Sequence, residues 1–160
     1  MLHTAIIPGT FDPITYGHED LIKRAAQIFP QVIVAIAESQ VKKPLFSLEE
    51  RIFMAQDALQ EYKNVKAIGF NCLLVDFARQ HNSRIIVRGV RTFADFEHEL
   101  QLSGANHVLN SEMETVFLAP SQEYAHISST INKEISSLKG DITNFVNGDV
   151  ANKLQGVIWR

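Results

Sequence analysis

Short apolar runs alternate along this chain with longer stretches whose apolar residues recur every three or four positions. That alternation constrains the fold more than any other feature. Ala5-Ile6-Ile7, Val32 to Ala37, Val65 to Phe70, Ile85-Ile86-Val87 and Thr115 to Leu118 read as strands. Val32 to Ala37 is apolar throughout, as a strand covered on both faces must be. Between the strands, Leu21, Ile22, Ala25, Ile28 and Phe29 share one helical face. Glu19 and Asp20 stand in that helix's first turn, and Pro30 stops it. Ser47-Leu48-Glu49-Glu50 is a capping box that opens a helix carrying Leu48, Ile52, Ala55, Leu59 and Tyr62. Leu73, Leu74, Phe77 and Ala78 predict a short helix, and Asp95 begins one that runs to about Leu109. Ser128-Ser129 precede a helix with Ile131, Ile135 and Leu138 that ends at Gly140. Asp149 caps a last one with Val150, Leu154, Val157 and Ile158. Strands that alternate with helices imply right-handed crossovers. The expected fold is α/β: a doubly wound, Rossmann-like, five-stranded parallel sheet with helices on both faces.

No repeat, low-complexity tract or linker divides the 160 residues, so residues 1–160 are expected to form one domain. A composition 46% hydrophobic and 21% charged excludes a wholly disordered or fibrous chain. The longest apolar run is far shorter than the roughly 20 residues of a spanning helix, and no Lys or Arg precedes Lys23. Neither a membrane span nor a signal peptide is expected. The single cysteine, Cys72, allows no internal disulfide or cysteine cluster and reads as a small core residue. These features suit a cytoplasmic location. A net charge of −3 argues against bulk nucleic-acid binding.

In a doubly wound sheet, ligands bind beyond the C-terminal strand ends. Four segments therefore matter: Pro8 to His18, Glu38 to Phe46, Arg88 to Arg91 and Pro120 to Thr130. There is no Gly-Lys phosphate loop, no Gly-x-Gly-x-x-Gly, no Gly-x-Ser-x-Gly and no His-Glu-x-x-His, which disfavours Walker kinases, dehydrogenases, α/β-hydrolases and zinc peptidases. Instead the first strand leads into Pro8-Gly9-Thr10-Phe11-Asp12-Pro13. Thr15-Tyr16-Gly17-His18 then sets a glycine and an imidazole at a helix start, where N–H groups and the helix dipole favour phosphate. His3, His81, His98, His107 and His126 show no ligand spacing and read as surface or packing residues.

Gly9-Thr10-Phe11-Asp12-Pro13 followed by Thr15-x-Gly17-His18 resembles the signature of the nucleotidylyltransferase superfamily. Three further segments narrow the resemblance: Ser39-Gln40-Val41-Lys42-Lys43-Pro44; Arg88-Gly89-Val90-Arg91 with Asp95-Phe96-Glu97-x-Glu99; and Pro120-Ser121 with Ile127-Ser128-Ser129-Thr130. In this order, from about Ala5 to Lys133, they resemble the bacterial phosphopantetheine adenylyltransferase family. Where the superfamily often has Arg after Ile-Ser-Ser-Thr, this chain has Lys133, a point charge rather than a fork.

The resemblance implies transfer of the adenylyl group of ATP to 4′-phosphopantetheine, giving dephospho-coenzyme A and pyrophosphate. It implies His18, Lys42, Arg91 and Thr10 as the catalytic set. Thr10, Phe11, His18, Gly89, Val90, Arg91, Glu99 and the run Tyr124, Ala125, His126, Ile127, Ser128, Ser129 and Thr130 would hold ATP. Thr10, Lys42, Leu74 and Arg88 would hold the acceptor. Glu99 reads equally as a nucleotide contact or a helix-surface carboxylate, Leu74 as a pantetheine contact or a core leucine. The serines at 128 and 129 suit capping and phosphate donation together. Magnesium is implied by the triphosphate, with no protein metal site. A hexamer and feedback by coenzyme A are likewise implied. Trp159, in the tail, reads as a core-edge or subunit contact.

Overall fold

The computed structural model describes residues 4–39, 41 and 43–158. Gln40, Lys42, His3 and Trp159 lie outside them. Five strands, β1 (Thr4–Gly9), β2 (Gln31–Ala37), β3 (Val65–Phe70), β4 (Ile85–Gly89) and β5 (Glu114–Leu118), form one parallel sheet in the order β3-β2-β1-β4-β5. Between and after them run α1 (Tyr16–Ile28), α2 (Leu48–Ala58), α3 (Leu74–Gln80), α4 (Phe93–Leu109), α5 (Ser129–Ser137) and α6 (Gly148–Ile158), with a 3-10 turn at Gln122–Tyr124. The chain winds outward from β1 to β3, then crosses back to β4 on the other side of β1, so the order switches between β1 and β4.

The alternation of side chains along each strand divides the core. Ala5, Ile7, Val32, Val34, Ile36 and Val87 meet Ile22 and Ala25 of α1, Met54 and Ala55 of α2, and Val150, Ala151 and Leu154 of α6. On the opposite face Ile6, Ile33, Ala35 and Ile86 meet Val75, Phe77 and Ala78 of α3, with Met113. Helices thus cover both faces. Phe96 of α4 lies edge-on to Phe117 of β5, yet none of the seventeen residues of α4 is buried.

Several local expectations change. α4 starts at Phe93 because Thr92 Oγ1 accepts from the Asp95 N–H at 3.1 Å, which puts Asp95 inside the first turn. Asn147 Oδ1 accepts from Val150 N at 2.9 Å at the start of α6, so Asn147 caps where Asp149 was expected to. α2 ends at Ala58, and Leu59 and Tyr62 reach the core from the turn beyond it. α5 buries Asn132 and Ser136, while Ile131 and Leu138 are exposed. Ile28 is exposed as well. Cys72 is exposed in the turn between β3 and α3, not in the core.

Candidate active site

The C-terminal ends of β1 and β4 open onto a cavity of about 600 Å³, at the switch in strand order. Its floor is the β1 turn. Phe11 is buried with φ 48°, a left-handed backbone, and its ring lies over Gly9, where a Cβ would come within 2.8 Å of it. A larger residue at position 9 would force the buried Phe11 ring to shift. The same ring packs 4.8 Å from that of His18.

Thr15 caps α1. Its Oγ1 accepts from His18 N at 3.3 Å, and His18 Nδ1 in return accepts from Thr15 N at 3.1 Å. This is a capping box with histidine in the place usually held by Glu or Gln. A backbone N–H only donates, so Nδ1 holds a lone pair and the neutral ring carries its proton on Nε2. Burial, and then the positive charge of Arg91, push the imidazole down to about 4. At neutral pH His18 is therefore an uncharged donor on the cavity wall.

Three cations line the cavity among the described residues, and each meets a carboxylate. Arg88 holds Glu99 through Nε and Nη2 and donates to Pro8 O at 2.6 Å. Arg91 lies 3.5 Å from Asp95 and donates to Ile127 O at 2.9 Å. Lys133 donates to Asp12 Oδ2 at 2.8 Å. Asp12 also accepts from Leu45 N and Phe46 N, and its carboxyl stays below the usual range. Burial opposes that shift, but the hydrogen bonds and the Lys133 charge outweigh it.

The loop that follows β5 is tied to α1. Asp20 accepts from Ser121 N at 3.0 Å and from Ser121 Oγ at 2.7 Å, and Arg24 donates to Ala119 O. Gly17 lets the first turn of α1 close on this loop, since a Cβ there would stand 3.3 Å from Ile127 O. Ser128 Oγ caps α5, and Ser129 Oγ donates to Pro13 O at 2.8 Å.

Thr10, Phe11, His18, Arg88, Gly89, Arg91, Glu99, Tyr124, Ile127, Ser128, Ser129 and Thr130 thus converge on one cavity. Val90, Ala125 and His126 flank its lining: Val90 N donates to Leu118 O, and the exposed His126 faces the Phe145 ring. Leu74 packs on the second core face, away from the lining. Lys42 lies outside the described residues. The cavity also takes in Asp12, which stands in the β1-turn motif without an assigned role, and His98 and Lys133, which the sequence motifs did not assign to it. Lys133 was findable, since it stands four residues beyond Ser129 on the same helical face.

The profile of the cytidylyltransferase-like family matches residues 6–135. The phosphopantetheine adenylyltransferase of Polynucleobacter necessarius is 54% identical over 142 residues, 89% of this chain and 86% of that one. Its namesake from Nitrosomonas eutropha is 53% identical over 150 residues, 94% and 92% of the two chains. The chain belongs to the phosphopantetheine adenylyltransferase family. It is therefore a nucleotidyltransferase, of the branch concerned with coenzyme A biosynthesis. A solved structure, a putative nicotinate-nucleotide adenylyltransferase from Vibrio parahaemolyticus, superposes with a TM-score of 0.70 over 96% of this chain and 91% of its own. At 13% identity it shares the fold. No described helix is long and apolar enough to cross a membrane.

Proposed function

We propose that this cavity holds ATP and 4′-phosphopantetheine side by side. The acceptor's phosphate oxygen attacks the α-phosphorus in line, the bond to the β-phosphate breaks, and dephospho-coenzyme A and pyrophosphate leave. A phosphate nucleophile is already ionised, so the site needs no general base. It needs positioning and donors aimed at charge on the transferring group. The observation that carries this reading is His18: uncharged, held by Thr15, with Nε2–H as its remaining donor, beside the Arg91 cation. Arg91 and the N–H groups at the start of α5 serve the nucleotide phosphates. Thr10, Lys42 and Arg88 serve the acceptor.

Magnesium enters with the triphosphate as part of the nucleotide substrate. Asp12, the carboxylate of the β1 turn, has both oxygens engaged by Leu45, Phe46 and Lys133, and the described residues include no cluster of three metal-ligating side chains. The whole span 1–160 acts as one such domain, in the cytoplasm. Assembly as a hexamer follows from the family resemblance, and the exposed Phe93, Leu100, Val108 and Leu109 of α4 offer apolar side chains that a contact between copies would cover. Coenzyme A, which carries the same pantetheine arm, competes for the acceptor pocket.

The test is pyrophosphate release from ATP and magnesium with a panel of acceptors. Release with 4′-phosphopantetheine and little with unphosphorylated pantetheine supports the reading. Equal rates with both refute a phosphate nucleophile.

A further inference from the structure

Arg51 sits on α2, outside the cavity lining, and is fully buried at 1% exposure. Among the described residues no carboxylate forms an ion pair with it. Its guanidinium donates five hydrogen bonds, all to backbone carbonyls. Nη1 reaches Thr10 O at 2.8 Å and Ala37 O at 2.7 Å, Nη2 reaches Glu38 O at 3.2 Å, and Nε reaches Phe46 O at 3.1 Å and Ser47 O at 3.3 Å. One side chain thereby ties the end of β2, the start of α2 and the β1 turn together.

Burial disfavours the Arg51 charge, the fields of Asp12, Glu38 and Glu49 offset that without direct contact, and an apolar side chain of similar volume would fill such a space at less cost. What the apolar residue does not do is grip three strands of backbone at once. Only the planar fork of arginine has the donors for that, where lysine offers a compact point charge. Asp12 grips the same loop from the cavity side, accepting from Leu45 N at 2.9 Å and Phe46 N at 3.0 Å. Between these fixed ends Ser39 (φ 56°) and Lys43 (φ 42°) adopt left-handed backbone without being glycine, a conformation that persists only where the surroundings enforce it. Pro44 of this loop lines the cavity.

We propose that Arg51 and Asp12 are positioning residues that brace the described residues after β2, Glu38, Ser39 and Lys43 to Phe46, against the Thr10 turn, and so set the geometry of the acceptor half of the cleft. The proposal rests on the functional reading above for the identity of the acceptor. Neither residue acts on the nucleotide directly; each acts through the loop and the Thr10 turn.

The experiment compares the parent with Arg51→Lys and Asp12→Asn, with folding followed by circular dichroism. Steady-state pyrophosphate release is measured with each substrate varied in turn. Misplacing a binding group by about 1 Å costs up to about 10²-fold, so the acceptor KM rises at least about tenfold, and the ATP KM by less than about threefold. A folded variant whose acceptor KM stays within about twofold of the parent overturns the brace. Where Arg51→Lys does not fold, Asp12→Asn decides by the same readings. Hydrogen exchange of the peptide covering residues 38–46 is read without substrate. Both variants speed it by about tenfold or more, and unchanged exchange overturns the brace whatever the parent's activity. A parent inactive on 4′-phosphopantetheine but showing this exchange pattern refutes the acceptor assignment alone.

Discussion

His18 and Thr15 hold one another at both ends of the α1 cap: Thr15 N donates to His18 Nδ1 at 3.1 Å, and His18 N donates to Thr15 Oγ1 at 3.3 Å. The cap that starts the helix also fixes the tautomer of the imidazole that faces the cavity. Structure and chemistry share the same two hydrogen bonds.

Burial gives His18 and its neighbour Glu19 opposite dependences on pH. His18 falls from 6.5 to about 4 on folding, so between these values the unfolded chain binds the extra proton. Its contribution is a loss of stability as pH falls through this window, by about 1.4 kcal/mol per unit at most. Glu19 rises from 4.5 to about 7, so the folded chain binds the proton more tightly. Stability is lost as pH rises from 4.5 through 7. Glu19→Gln should therefore raise stability at pH 8 by on the order of 1 kcal/mol after solvent screening, seen as a higher thermal midpoint, and should leave the midpoint unchanged near pH 4. Melting curves at the two pH values check this; equal midpoints of variant and parent at pH 8 contradict it.

Glu99 holds Arg88 by two hydrogen bonds, and the pair is mostly buried. Removing one partner of such a pair leaves the other charge uncompensated. Glu99→Gln is expected to raise the acceptor KM several-fold, through a displaced Arg88, and the ATP KM by less. Kinetics with both substrates varied separate this from a direct nucleotide contact, for which the ATP KM alone would rise.

The exposed apolar side chains of α4 make assembly testable. Val108 is 86% exposed and contributes nothing to the described core. Val108→Glu should leave the fold intact and shift the sedimenting mass from near six chains toward smaller species. An unchanged mass would free this face of any role in assembly.

The strands were legible because each is a short apolar run between turn residues, and Val65–Phe70 falls where the sequence places it. Helix ends were less so. Thr92 and Asn147 cap where Asp95 and Asp149 were expected, because several good capping residues lie within a few positions and only backbone geometry chooses among them. The apolar stripe of α5 misled in the same way: Ile131 and Leu138 point outward while Asn132 and Ser136 are buried. In the site, the Thr15 to His18 and Ser128 to Thr130 segments carried local signals, since a helix start announces itself. Arg51 did not. Its partner at Thr10 is 41 residues away and is a carbonyl, which every residue type supplies. Lys42 lies outside the described residues.

The role given to His18 is tested most directly by His18→Ala, studied by calorimetric ATP binding beside steady-state pyrophosphate release. The backbone N–H groups of the helix start remain in the variant, so ATP affinity should stay within a few-fold of the parent. Loss of one preorganised donor to the transferring phosphoryl group should lower kcat by about 10²–10³-fold. Turnover at near-parent level, or ATP binding that collapses together with turnover, contradicts a transition-state donor at His18.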